Sequence, residues 1–137
     1  MGLFQYVENG IELHSGSRSQ FKIECDSLDD KDIECLAWIT STYLVEKFSE
    51  VHGVPRGGLR FAKALEKYKS KEGAILVVDD VYTTGNSLRE FIMNYFIEND
   101  MHSSPPMKTV VIFSRNVTPE WIIPIFQMRG GLNEKSI

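Results

Sequence analysis

Residues 73–88 read GAILVVDDVYTTGNSL. The run from Ala74 to Val78 has almost no polar alternation, which predicts a strand over 74–79 buried on both faces of a parallel sheet. It ends in two adjacent acids, Asp79 and Asp80, followed by the small polar stretch Thr83–Thr84–Gly85–Asn86–Ser87. Leu88, Phe91, Ile92, Tyr95 and Phe96 then recur at helical spacing and predict a helix over about 86–98.

Working outward, a second unit of the same kind lies upstream. A short strand over about 50–54 leads into the tight segment GVPRGG, residues 53–58, and Phe61, Ala62, Leu65 and Tyr68 mark one face of a helix over about 58–70. Downstream, KTVVIFSR (108–115) is another apolar strand. WIIPIFQM (121–128) reads as an edge strand, because Pro124 cannot donate to a ladder. Near the N-terminus, residues 11–14 and 20–25 read as short strands joined by the turn SGSRS. Ser27 and Asp30 have the spacing of a capping box, and Ile33, Ala37, Thr40, Leu44 and Phe48 predict a helix over about 29–48. These elements give an α/β fold with a mainly parallel sheet flanked by helices. Ligands bind beyond the carboxyl ends of such strands, and both GVPRGG and DDVYTTGNS fall there.

The 137 residues suffice for one domain; 1–130 read as that domain and 131–137 as a flexible tail. A net charge of −4 argues against a nucleic-acid surface. The basic series Arg60, Lys63, Lys67, Lys69 and Lys71 reads as the solvated face of one helix. No apolar run approaches a membrane span, and the N-terminal MGLFQYVENG lacks the pattern of a secretory signal. Cys25 and Cys35 then read as reduced thiols of a cytoplasmic protein. His14, His52 and His102 show no metal-ligand spacing.

In the second loop, backbone N–H groups and a helix N-terminus can converge on an anion. Gly85 permits close approach, and Thr83, Thr84 and Ser87 add hydroxyl donors. The paired carboxylates can accept from sugar hydroxyls and hold a hard cation, directly or through water. A ribose 5-phosphate unit satisfies both halves. The plainer alternative is a strand ending in solvated aspartates.

The stretch ILVVDDVYTTGNS resembles the phosphoribosyl-pyrophosphate (PRPP) signature of type I phosphoribosyltransferases. Ile75 to Val78, Asp79, Asp80, Val81, Thr83, Thr84, Gly85 and Ser87 match it; Tyr82 stands where an aliphatic residue is usual. VHGVPRGG resembles the family's pyrophosphate loop. By that resemblance Pro55, Arg56, Gly57 and Gly58 bind the diphosphate, Pro55–Arg56 is the candidate cis peptide, and Arg56 supplies charge to the leaving group. LHSGSRSQFKIECDSL is similar to the N-terminal segment of orotate phosphoribosyltransferases, which implies a base pocket near Ser15 and Gly16, with His14 where those enzymes place a lysine. PEWIIPIF resembles the base-stacking segment of purine phosphoribosyltransferases and implicates Trp121.

The resemblance implies a type I phosphoribosyltransferase-like core with a minimal hood, and a homodimer. It implies an enzyme that uses PRPP and Mg2+ to move ribose 5-phosphate between pyrophosphate and a nitrogenous base. Asp79, Asp80 and Arg56 would be its catalytic residues, Asp79 and Asp80 would support the metal, and residues 83–87 would anchor the 5′-phosphate. Only fourteen residues separate Gly58 from Gly73, where the family carries a helix, a strand and a flexible catalytic loop. A non-catalytic PRPP or nucleotide binder, acting as a sensor or regulatory subunit, is therefore the alternative.

Overall fold

The computed structural model describes residues 2–12, 18–99 and 106–128. Ser15, Gly16 and the tail 131–137 lie outside them. A hairpin of β1 (Phe4–Glu12) and β2 (Arg18–Ile23) precedes α1 (Asp30–Ile39). The chain then alternates through β3 (Phe48–Gly53), α2 (Gly57–Leu65), β4 (Ala74–Tyr82), α3 (Asn86–Glu98), β5 (Met107–Ser114) and β6 (Ile122–Gln127). The second sheet has four strands in the order β3-β4-β5-β6, every pair parallel.

Two-sided burial explains the unbroken apolar strands. Leu76, Val78, Val110 and Ile112 pack with Phe61 and Leu65 of α2 and Ile33, Leu36 and Ala37 of α1. Val77 and Val111 form the other core, with Leu88, Phe91 and Ile92 of α3. Successive strand residues face opposite sides, so neither face of β4 can tolerate the polar half of an alternating pattern.

Several boundaries differ from the sequence reading. The first helix stops at Ile39 rather than near 48. Thr40 donates its hydroxyl to the Leu36 carbonyl (2.8 Å), the next turn widens to a π-type turn, and Val45 is extended. Phe48, which continued the helical spacing, instead opens β3 and is buried in register with Ala74. The capping box uses Asp29 and Asp32, which exchange side-chain and backbone bonds, and not Ser27. The strand expected over 74–79 runs on to Tyr82, so the aspartates sit inside β4 and the loop shrinks to 83–85. Tyr82 is buried and takes a core position. The helix over 86–98 and the edge position of β6 agree with expectation. β1 begins at Phe4, earlier than expected, because exposed and half-buried residues alternate from Phe4 to Val7.

Two connections are unusually lean. Residues 59–73 hold only the rest of α2, a 3-10 turn and a bend, with no strand and no long loop. Parallel neighbours are usually joined by a helix, yet β5 and β6 are joined by residues 115–121 without one. Among the described residues, no helix is long and apolar enough to cross a membrane.

The hairpin is fastened to the sheet by Arg115, which follows β5. It is 3% exposed and donates to the Ser19 hydroxyl (3.1 Å) and the Phe21 carbonyl (3.0 Å), with its guanidinium 4.3 Å from the Phe21 ring centroid. Arg115→Leu removes these charge-assisted bonds, each contributing roughly 1.5–3 kcal/mol. Native-state hydrogen exchange is expected to show β1–β2 amides losing protection by tenfold or more (about 1.4 kcal/mol) while β4 and β5 amides keep theirs. Equal loss in all four strands would mean that Arg115 supports the whole fold instead.

Candidate functional site

At the carboxyl ends of β3 and β4, the segment from Gly53 to Gly58 lies directly on the end of β4. A Cβ placed on Gly57 would overlap the Asp80 carboxylate, one on Gly58 the Val78 carbonyl, and one on Gly53 the Gly58 carbonyl. Only glycine permits that approach. Val54 N–H donates to the Val78 carbonyl (2.9 Å) and Gly58 N–H to the Val54 carbonyl (2.8 Å), which fastens the loop. The Pro55–Arg56 peptide is cis, the form the resemblance implies there.

Asp79 and Asp80 are held by the backbone of their own strand. Asp79 Oδ1 accepts from Asp80 N–H and Asp80 Oδ1 from Val81 N–H, both at 2.8 Å. Asp79 is 8% exposed. Burial, then the neighbouring Asp80 charge and a side-chain hydrogen bond with Asp80, push its carboxyl up to about 8. Asp80 is less buried and faces a cavity of about 230 Å³, whose lining includes Arg56, Gly57, Arg60, Cys25 and Asp26. Two guanidinium-bearing side chains thus share one small cavity with the acid.

The third wall is the start of α3. Gly85 adopts φ +81°, with the Tyr82 ring where a Cβ would be (2.8 Å), so the turn demands glycine. Gly85 at the N-cap offers α3 no side-chain cap, Thr84 Oγ1 accepts only a long bond from Asn86 N–H (3.4 Å), and no acid lies in the first turn. Thr84, Asn86 and Ser87 are exposed and Thr83 is half-buried. Arg89 donates to the Thr84 carbonyl (2.9 Å), bracing the turn.

The structure therefore brings Pro55 to Gly58, Asp79, Asp80 and residues 83–87 to one end of the sheet. Trp121 stands apart. It precedes Ile122, which pairs with Thr109, level with Val77, and it lines a groove against α3 rather than the Asp80 cavity.

Three site-adjacent residues escaped the sequence reading. Arg60 was assigned to a solvated face, yet it donates to the Leu28 (2.7 Å) and Cys25 (3.3 Å) carbonyls and ties α2 to the turn after the hairpin. Cys25 lies in the Asp80 cavity. Arg115 sits where an apolar strand ends in a cation, which was the one available signal.

No family model and no curated protein sequence matches the chain. Solved structures do. The orotate phosphoribosyltransferase of Aeropyrum pernix superposes with a TM-score of 0.71 at 21% identity, over 93% of this chain and 89% of that one. The fold is that of a type I phosphoribosyltransferase. The Mycobacterium tuberculosis H37Rv orotate phosphoribosyltransferase gives 0.59 at 15% identity, over 88% of each chain. That of Francisella tularensis gives 0.57 at 15%, over 91% of this chain and 80% of that one.

Two predictions follow from the electrostatics. A carboxyl whose folded pKa lies above its unfolded value binds a proton on folding, so its penalty is absent at low pH and grows as pH rises toward about 8. Asp79→Asn carries no such penalty. In urea denaturation its advantage over wild type should widen between pH 5 and pH 8, reaching a few kcal/mol at most; a gap independent of pH refutes the assignment. Burial, then the Asp80 and Asp26 charges, push the Cys25 thiol up to about 12, while Cys35 is exposed. Thiol titration at pH 8 should count one fast thiol in the native protein and two in urea.

Proposed function

We propose that the protein is a phosphoribosyltransferase that uses PRPP with Mg2+ to transfer ribose 5-phosphate to or from a nitrogenous base. The observation that carries this reading is the packing of the Gly57–Gly58 loop onto Asp80, beside a buried Asp79 and a helix start whose N-cap is glycine and whose first turn holds no acid. A diphosphate, a pair of ribose hydroxyls and a 5′-phosphate need those three features in that order.

The donor set suits magnesium that arrives with its substrate. Among the described residues no three metal-ligating side chains converge into a cage. Magnesium is commonly held by one or two carboxylates together with substrate phosphates, and each aspartate has a second oxygen beyond the one bound to its backbone. The ion would neutralise charge on the departing pyrophosphate. Asp79 and Asp80 would accept from the ribose hydroxyls and hold the sugar. Loss of the Asp79 proton when the cation binds would make binding stronger as pH rises. The Arg56 and Gly57 N–H groups would fix the diphosphate, since Pro55 has no N–H and that of Gly58 is held by the Val54 carbonyl, with the Arg56 side chain beside it, while residues 83–87 would anchor the 5′-phosphate. The result is positioning of both reacting ends.

A second reading rests on the short 59–73 connection. A PRPP or nucleotide binder without turnover needs the same three walls and no closing loop. A second copy of the chain in a homodimer would be one source of cover for the enzyme.

Pyrophosphate release from PRPP and Mg2+ across a panel of bases separates the two. The enzyme reading expects turnover with at least one base, falling by about 10²-fold or more in Asp80→Asn. Calorimetric PRPP binding without turnover on any base establishes the binder, and absence of both PRPP and nucleoside monophosphate binding refutes both.

A further inference from the structure

Part of the wall of the Asp80 cavity comes from a distant stretch of chain. Cys25, Asp26 and Leu28, in and just after the 3-10 turn that follows the hairpin, line it together with Arg56, Gly57 and Asp80. Pockets that take a whole drug-sized ligand run from about 300 Å³ upward. This cavity is about 230 Å³, so it takes one end of a substrate. Guanidinium groups from Arg56 and Arg60, beside the carboxylates of Asp26 and Asp80, suit an anionic group that arrives with a cation.

Arg60 joins that turn to α2. Its Nη2 donates to the Leu28 carbonyl (2.7 Å) and the Cys25 carbonyl (3.3 Å), 32 and 35 residues earlier in the chain. Other bonds of the turn stay within it or run to the N-terminus: Leu28 N–H to the Cys25 carbonyl (3.1 Å), and the Ser27 hydroxyl to the Gly2 carbonyl (3.0 Å). Arg60 lies three residues after Gly57, on the same side of α2 as the end of the glycine loop. That loop is seated on β4, so α2 is a firm support. A guanidinium suits the task, because its planar fork holds its donors in fixed directions and its bonds are charge-assisted.

We propose that Arg60 is a positioning residue for the diphosphate end of the substrate: it pins the turn at residues 25–28 as a standing wall of the Asp80 cavity, in place of a segment that closes on binding. This role rests on the site reading proposed above, since enzyme and binder alike place the diphosphate beside Arg56. The 59–73 connection holds no strand and no long loop to fold over the cavity, so the turn is the cover it has in the described chain. A wall already in position costs no ordering of a loop when the ligand arrives.

Cys25 makes the wall measurable. It is 8% exposed and lines the cavity, so labelling by a disulfide reagent reports how often the turn lifts. In Cys35→Ser, where Cys25 is the only thiol, labelling is expected to be slow, and saturating magnesium pyrophosphate to slow it by a further tenfold or so. Adding Arg60→Met should speed labelling, and weaken calorimetric binding of magnesium pyrophosphate, by about tenfold or more each. Circular dichroism should be unchanged. Arg60→Lys, which keeps the charge and a donor, should recover both. Recovery of affinity by lysine while Cys25 stays fast overturns the proposal, because the charge and not the turn then matters. So does an Arg60→Met protein with unaltered labelling or unaltered affinity. A bound ligand that leaves the Cys25 rate unchanged with Arg60 intact also overturns it, and that measurement needs no Arg60 variant to fold. A wild type that binds neither magnesium pyrophosphate nor PRPP overturns the site reading and this role together, whereas the other adverse outcomes overturn this role alone.

Discussion

The contact between the glycine loop and the end of β4 is the constraint on which the rest of this site depends. Gly53, Gly57 and Gly58 lack side chains where any Cβ would meet backbone or the Asp80 carboxylate. Because that space is empty, α2 can start immediately after β3 and pack against β4. The same closeness puts Arg56 and Arg60 in the cavity that Asp80 faces. Packing and chemistry are therefore one requirement here: a side chain at 57 would disturb the fold and the acid together.

The acids themselves come at an energetic cost. Asp79 lies in a strand otherwise built for two-sided apolar burial, and its raised pKa records what the buried charge costs. A purely structural strand end would place aspartates in water. Here they sit inside β4 and are held by adjacent N–H groups. Cys25, in the cavity that Asp80 faces, is held as a thiol first by burial and then by the Asp80 charge.

Economy marks the remainder of the chain. The 59–73 connection and the 115–121 crossover are both stripped to near their minimum. The first leaves the site without a closing segment in the described chain; beside the second lies a groove against α3 lined in part by Met107 and Trp121. Arg115 and Arg60 compensate elsewhere, fastening the hairpin and the turn after it with bonds to carbonyls and a hydroxyl rather than with extra secondary structure.

The apolar runs of 74–78 and 109–113, the helix at 86–98 and the glycine-bounded loops were legible in the sequence, because burial on two faces, close backbone approach and the positive φ of Gly85 admit few residue types. The sequence by itself therefore determined the α/β class and the two loops that meet. Periodicity misread Phe48, whose spacing fits a helix but whose place is decided by pairing with Ala74. It also ended β4 at the acids, since nothing local reveals that Tyr82 pairs with Ser114. Trp121 looked like a neighbour of the site, and Arg60 like a solvated cation. Only the tertiary structure placed the first against α3 and the second on the Leu28 carbonyl. Such assignments depend on which distant segment supplies the partner, and one chain's local pattern carries no record of that.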